Sequence, residues 1–352
     1  MMRRRKLAVL IGVLVVTGAI AFIVYWHWHA PPEAVRLLPE SDTVLYVDLR
    51  PVRLAVGTGA SEPEDPDYRQ FVAETGFDFK RDLDQVAMGV VAPNWATQGP
   101  LPPPDTRSSE VLVGRFDAQK VGAYLKKMAR SVDTYREIEI YSIPHEGRTV
   151  RVAIVAVNEV AITNVDDPET IRGMIDRARS AAAPFAGPEL VQKYYKDVPF
   201  GSMAWGVARI PASVGGDSMP ALPLQGGVSM GAFPPGSVIV ASLRYKLGIA
   251  VQAATITPSE QEAQQIADKL AAYLAIFRSL QASSAVGPDP DVKKLFDSLR
   301  VERRENRVVV QARVPPGFIQ KALSGPPPVA APQPEEKPQP EEQPKKKAGK
   351  KK

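Results

Sequence analysis

The sequence predicts an α+β fold with mostly antiparallel sheets and packed helices, arranged as two tandem related halves behind one N-terminal transmembrane helix. Three observations support this. Short segments rich in β-branched residues occur in pairs joined by turns. Capped helices with one apolar face are interspersed with them. An uncharged run of about 20 residues stands near the N-terminus, which is the length that crosses a bilayer.

The N-terminus predicts where the protein works. Residues 1–6 contain four consecutive basic residues, and residues 7–26 contain no charge. As a helix, this run would be about 30 Å long. Basic residues before a span stay in the cytoplasm, so we expect a signal anchor in the cytoplasmic (inner) membrane with the body and C-terminus extracytoplasmic. A cleaved signal peptide ending near Ala21 is the alternative, although the apolar run continues past that residue.

The segment YWHWH, residues 25–29, marks the end of the predicted span. Its aromatic rings favour the membrane interface. His27 and His29 would point in different directions on a helix, and no further histidine or cysteine lies near them in the sequence. We therefore predict no metal site there, and a linker over residues 27–37.

Charge and composition exclude several classes of function. The chain of 352 residues has no cysteine, so it has no disulfide or thiolate site. The net charge of +5 comes from its ends, because residues 1–6 carry +4 and the tail 325–352 carries +3, which leaves −2 for the body. A near-neutral body argues against nucleic-acid binding. The tail is rich in Pro, Glu and Lys and is predicted to be disordered.

Residues 38–183 are predicted to form the first half. Strands are expected from Thr43, Val86 and Glu110 onward. A helix capped by Asp117 follows, then a hairpin, a short strand and a second helix that opens at Asp167.

Residues 184–324 form the predicted second half, with an insertion at residues 212–236. Two hairpins flank a long helix, for which Thr257 is the expected cap. The segment from Ala204 aligns with that from Leu45 and matches Trp205 with Tyr46 and Arg209 with Arg50, so a tandem duplication is predicted.

The opening LPESDTVLYVDLR, residues 38–50, together with the anchor and a late capped helix, resembles uncharacterised membrane-anchored exported bacterial proteins with domains of unknown function. This resemblance implies an envelope location. It implies no activity and no catalytic residues.

No phosphate-binding glycine loop occurs in the sequence. The body contains one histidine, His145, in a predicted turn. We therefore predict no cofactor and no metal. Asp48 is either an acid–base residue or one member of a strand-end ion pair with Arg50.

Two features predict partner contacts. Arginines cluster on the last predicted hairpin and could bind an anionic polymer; they are Arg300, Arg303, Arg304 and Arg307. The insertion carries apolar residues that could contact a partner: Met219, Leu222, Leu224, Met230 and Phe233.

The leading hypothesis is a non-enzymatic envelope module that binds an envelope protein or an anionic polymer. The alternatives are a membrane-tethered hydrolase of envelope polymers that uses paired carboxylates, and a structural spacer. The sequence leaves the oligomeric state open.

Overall fold

The computed structural model describes residues 30–56, 65–91, 106–180, 187–210, 233–245, 248–283 and 290–317. The predicted anchor at residues 7–26 and the tail at 325–352 lie outside these ranges. Within them, no helix has both the length and the apolar character needed to cross a bilayer.

The fold is α+β, with one antiparallel sheet of twelve strands at its centre. The strands are β1 Thr43–Asp48, β2 Leu83–Val91, β3 Arg107–Gly114, β4 Ser131–Tyr135, β5 Ile138–His145, β6 Arg148–Ala156, β7 Glu159–Thr163, β8 Ala204–Arg209, β9 Val238–Tyr245, β10 Ile249–Ile256, β11 Arg300–Arg304 and β12 Arg307–Val314. Their spatial order is β11-β12-β10-β9-β8-β1-β2-β3-β7-β6-β5-β4. The sheet is therefore continuous across the predicted boundary at residue 184.

The helices vary from one turn to more than six turns. They are α1 Glu33–Arg36, α2 Leu49–Val56, α3 Pro66–Thr75, α4 Phe79–Asp82, α5 Ala118–Met128, α6 Glu169–Arg179, α7 Glu189–Tyr194, α8 Glu260–Ser283 and α9 Pro290–Ser298, with a 3₁₀ turn at Tyr195–Asp197. Asp117 caps α5 as predicted, because its carboxylate accepts from two backbone N–H groups. At α8 the capping box is formed by Ser259 and Glu262 rather than by Thr257.

The sheet has two faces with different coverings. The front face carries Tyr46 and Trp205, and the back face carries Leu45, since side chains alternate along a strand. On the front face, α1, α6 and α7 pack over the first half and the centre of the sheet and form the main core. On the back face, α5 covers one end of the sheet and α8 covers the other.

Residues 33–38 belong to the core, although residues up to 37 were expected to be a linker. Ala34 and Val35 are fully buried, and Leu38 is nearly so. Leu38 lies close to β2, because a Cβ added at Gly89 would be 3.8 Å from Leu38 Cβ. The apolar spacing of this short segment matches one face of a helix, and that face packs on the sheet. The folded core therefore begins only a few residues after the predicted anchor.

The strand order repeats when it is read outward from the centre. On one side β1 is followed by β2, β3, β7 and β6, and on the other side β8 is followed by β9, β10, β12 and β11. Tyr46 lies directly opposite Trp205 in the central ladder, with ring centroids 5.6 Å apart. These are the two residues that the sequence alignment of the halves matched.

Candidate anion-binding groove

The candidate site lies on the front face of the second half and is built by four neighbouring strands. In one row across the sheet, Ala250 of β10 pairs with Arg244 of β9 on one side and with Arg313 of β12 on the other. Two residues along, Gln252 pairs with Gln311, which in turn pairs with Arg300 of the edge strand β11. The alternation of side chains along each strand places all of these residues on one face.

These side chains enclose a groove of about 350 Å³. Its lining is Arg244, Ala250, Val251, Gln252, Ser298, Arg300, Gln311, Ala312 and Arg313. No aspartate or glutamate belongs to this lining, and among the described residues no acidic group forms a salt bridge with any of its three arginines. The groove is therefore a site of concentrated positive charge.

Ser298 holds the arginine of β12 in place. Because β11 begins only at Arg300, the backbone N–H of Arg313 has no strand partner at that level and donates instead to Ser298 Oγ over 2.8 Å. The hydroxyl donates in turn to the Leu295 carbonyl at the end of α9, 2.6 Å away. The floor of the groove is also ordered, since Gln311 Nε2 lies 3.4 Å from Gln252 Oε1.

The structure divides the predicted arginine cluster. Of its four members only Arg300 lines the groove. Arg303 points to the back face and donates to the Glu305 carbonyl over 3.2 Å. Arg304 pairs with Glu302 at 3.3 Å.

Arg307, the fourth member, makes a partly buried ion pair with Asp197 of the 3₁₀ turn, at 2.7 Å. Its charge is therefore used within the fold and is not free for a partner.

Sequence reasoning missed Arg244 and Arg313, which lie 69 positions apart in the chain. The pattern that could have identified them is the alternation of side chains between the two faces of each strand. Arg244, Gln252, Gln311 and Arg313 occupy same-face positions on strands that the hairpins make neighbours, but the register that aligns them comes from the ladders and not from local spacing.

The apolar contact residues predicted in the insertion fall into two groups. Met219, Leu222, Leu224 and Met230 lie outside the described residues. Phe233 is half-buried and packs against the cluster of Ala263, Ile266 and Val308 under α8. Its ring therefore contributes to the fold instead of extending from the surface.

Glycoside hydrolysis requires two carboxyl groups that flank one bond, one of them with a raised pKa. Asp48 is bound by Arg50 through two hydrogen bonds of 2.9 and 2.7 Å, which is the strand-end pair. Burial raises the pKa of Glu159 to about 7, with a smaller upward contribution from Glu33 and a downward one from Arg36. Burial also raises the pKa of Glu110.

Glu110 and Glu159 nevertheless lie on opposite faces of the sheet. Glu159 shares the front face with Ala161, whereas Glu110 is adjacent to the front-face residue Val111 and points the other way. The two carboxyl groups with raised pKa therefore cannot flank one scissile bond.

Within the described part of the chain, no group of three or more His, Asp or Glu side chains is arranged to hold a metal ion. His145 ends β5 in an exposed hairpin. The groove itself offers guanidinium and amide groups. Guanidinium groups form charge-assisted hydrogen bonds with anions. None of its lining residues is a carboxylate or imidazole that could transfer a proton.

No family model matches this chain, and no curated protein matches it in sequence. Three crystal forms of TP0453 are similar in structure. Form III has a TM-score of 0.45 at 9% identity, over 80% of this chain and 94% of that chain.

Form IV of TP0453 has a TM-score of 0.42 at 10% identity, over 84% of this chain and 98% of that one. Form I has a TM-score of 0.42 at 9% identity, over 84% and 97%. A likeness at this level carries no information on ligands or activity.

Proposed function

We propose that this protein is a single-pass, membrane-anchored extracytoplasmic module that binds an anionic component of the cell envelope, either a polymer or a protein, through the groove of Arg244, Arg300 and Arg313. The observation that carries the proposal is the convergence of these three arginines around one groove that no described acidic side chain lines. Guanidinium groups left unpaired on one surface are suited to bidentate recognition of phosphate and carboxylate.

The membrane anchor in this proposal is inferred from the sequence of residues 1–26. A reporter enzyme that folds only after export, fused behind Lys352, is expected to be active in intact cells. Activity of a cytosolic reporter alone at that position would contradict both the topology and the envelope location.

Two related halves, residues 38–183 and 184–324, are the second part of the proposal. The matching strand orders on either side of the centre support a tandem duplication. Tyr46 lies directly opposite Trp205, which also supports a duplication, because a two-fold axis through the central ladder brings equivalent residues together.

Binding is tested with two variants that each remove three positive charges. The groove variant carries R244Q, R300Q and R313Q. The matched control carries R69Q, R303Q and R304Q, whose side chains are exposed and lie outside the groove lining. The six lysines of the last eight residues are changed to Gln in all three proteins, so that the tail does not bind the polymer. We expect the otherwise unaltered chain and the control to sediment with anionic envelope polymer, and the groove variant to bind at least tenfold more weakly.

Equal loss in the two variants would assign binding to general charge and contradict a groove. Undiminished binding of the polymer by the groove variant would also contradict a groove.

A further inference from the structure

The shape of the groove restricts what it binds. Arg244 and Arg313 stand on either side of Ala250, so their Cα atoms are about 10 Å apart, which is two strand spacings. The methyl group of Ala250 leaves the floor between them low. Gln252 follows about 7 Å further along β10. The groove is therefore a slot that runs along β10 with one arginine on each wall.

The third arginine lies further along the slot and to one side. Arg300 pairs with Gln311, so it is diagonal to Arg313, at about 7–8 Å between Cα atoms. The three positive charges thus start from three different strands. One phosphate accommodates two guanidinium groups approaching from opposite walls, and the remaining one is then placed for a separate anionic group.

The two glutamines occupy the floor between these positions. Their amide groups both donate and accept hydrogen bonds, and they already contact each other at 3.4 Å. Such a floor suits the polar, uncharged part of a polymer that connects successive anionic groups.

We infer that the ligand is a linear polyanion laid along β10, with anionic groups about 7–10 Å apart, and not a single small anion. This inference rests on the proposed function and specifies its ligand. Phosphate-bearing and carboxylate-bearing polymers share this chemistry.

The C-terminal lysines must be separated from the groove in any test. Six lysines lie within the last eight residues, and a flexible cationic tail binds polyanions by itself. The experiment therefore uses the full chain in neutral phosphatidylcholine nanodiscs with these lysines changed to Gln: Lys345, Lys346, Lys347, Lys350, Lys351 and Lys352.

Four probes are titrated by calorimetry at several salt concentrations: inorganic phosphate, a short polyphosphate, a long polyphosphate and polyglutamate. We expect the long polyphosphate to bind at least about 100-fold more tightly than inorganic phosphate, because its anionic groups are linked. With three contacts, the slope of log K against log salt should be about −2, and each of R244Q, R300Q and R313Q should reduce its magnitude by about 0.7. The polyglutamate arm shows whether carboxylates replace phosphates.

Equal binding of inorganic phosphate and polyphosphate, both abolished in R244Q/R313Q, would overturn the inference while leaving anion binding by the groove intact. Absence of binding for every probe, or a slope that R303Q reduces as much as R313Q, would contradict the groove itself.

Discussion

The two halves of the sheet place very different side chains at corresponding positions of the front face. Starting from Tyr46 opposite Trp205 and following the ladders outward, Gly89, Ser109 and Thr163 in the first half correspond to Arg244, Ala250 and Arg313 in the second. One row further toward the middle of the strands, Val111, Ala161 and Ala153 correspond to Gln252, Gln311 and Arg300.

In the first half these positions hold small side chains and are buried under helices. Ala153, Ala161 and Val111 are 0% exposed, and Ile171, Met174 and Ile175 of α6 belong to the same core cluster. In the second half, Arg300, Gln311 and Arg313 are exposed, although α9 contacts β12 and its last residue, Ser298, lines the groove beside Arg313.

The comparison shows that the same ladder geometry supports either a core or an exposed, positively charged surface. Side-chain size and charge decide between them. A helix packs closely only where the sheet presents small or apolar groups, because burying an unpaired guanidinium is costly.

The largest expected effect comes from exchanging one corresponding pair. A153R places an unpaired charge at a fully buried position and should lower the free energy of unfolding by more than about 4 kcal/mol. The reciprocal R300A changes an exposed edge-strand residue and should stay within about 0.5 kcal/mol. Urea unfolding of both variants measures this, and similar losses in the two would show that the halves are equally covered.

A pH-dependent effect is expected on the covered side, where Glu159 is 5% exposed. Its pKa is raised to about 7 in the folded chain, so the folded state keeps the proton at pH values where the unfolded state loses it. This contribution to stability is complete below about pH 4.5 and is lost as the pH rises to about 7.

Between pH 4.5 and 8, the wild-type chain should therefore lose about 2–3 kcal/mol more stability than E159Q. Chemical denaturation of both proteins across this pH range checks the difference. Parallel curves would show that Glu159 is hydrated and that the covering by α1 is looser than described.

A smaller effect concerns the ion pair that ties the 3₁₀ turn to β12. D197N weakens a partly buried bond to Arg307 and should cost about 1–2 kcal/mol. E302Q disrupts the exposed pair with Arg304 and should cost less than about 0.5 kcal/mol. Thermal unfolding compares the two, and an equal effect would place Arg307 among the free surface arginines.

Much of the architecture was predictable because it is local. The α+β class, the hairpins and the Asp117 cap follow from alternation, turns and capping residues within short windows. The buried α1 was missed because two preceding prolines and a short apolar segment look like a linker until the sheet surface that covers them is known.

The site was predictable only in part. The arginine-rich hairpin drew attention to Arg300. Arg244 and Arg313 lie near Arg300 only because of the register of β9, β10, β12 and β11. Arg307 is excluded from the groove by its ion pair with Asp197, a contact between residues 110 positions apart. Long-range pairing of this kind leaves no pattern in a short stretch of sequence.

Arginine footprinting tests the central claim most directly. The full chain is treated with an arginine-specific dicarbonyl reagent with and without long polyphosphate, and modification is quantified residue by residue by mass spectrometry. We expect protection of Arg244, Arg300 and Arg313 by at least about threefold, with no change at Arg303 and Arg304. Protection spread evenly over all five arginines, or confined to Arg303 and Arg304, would contradict a groove on the front face.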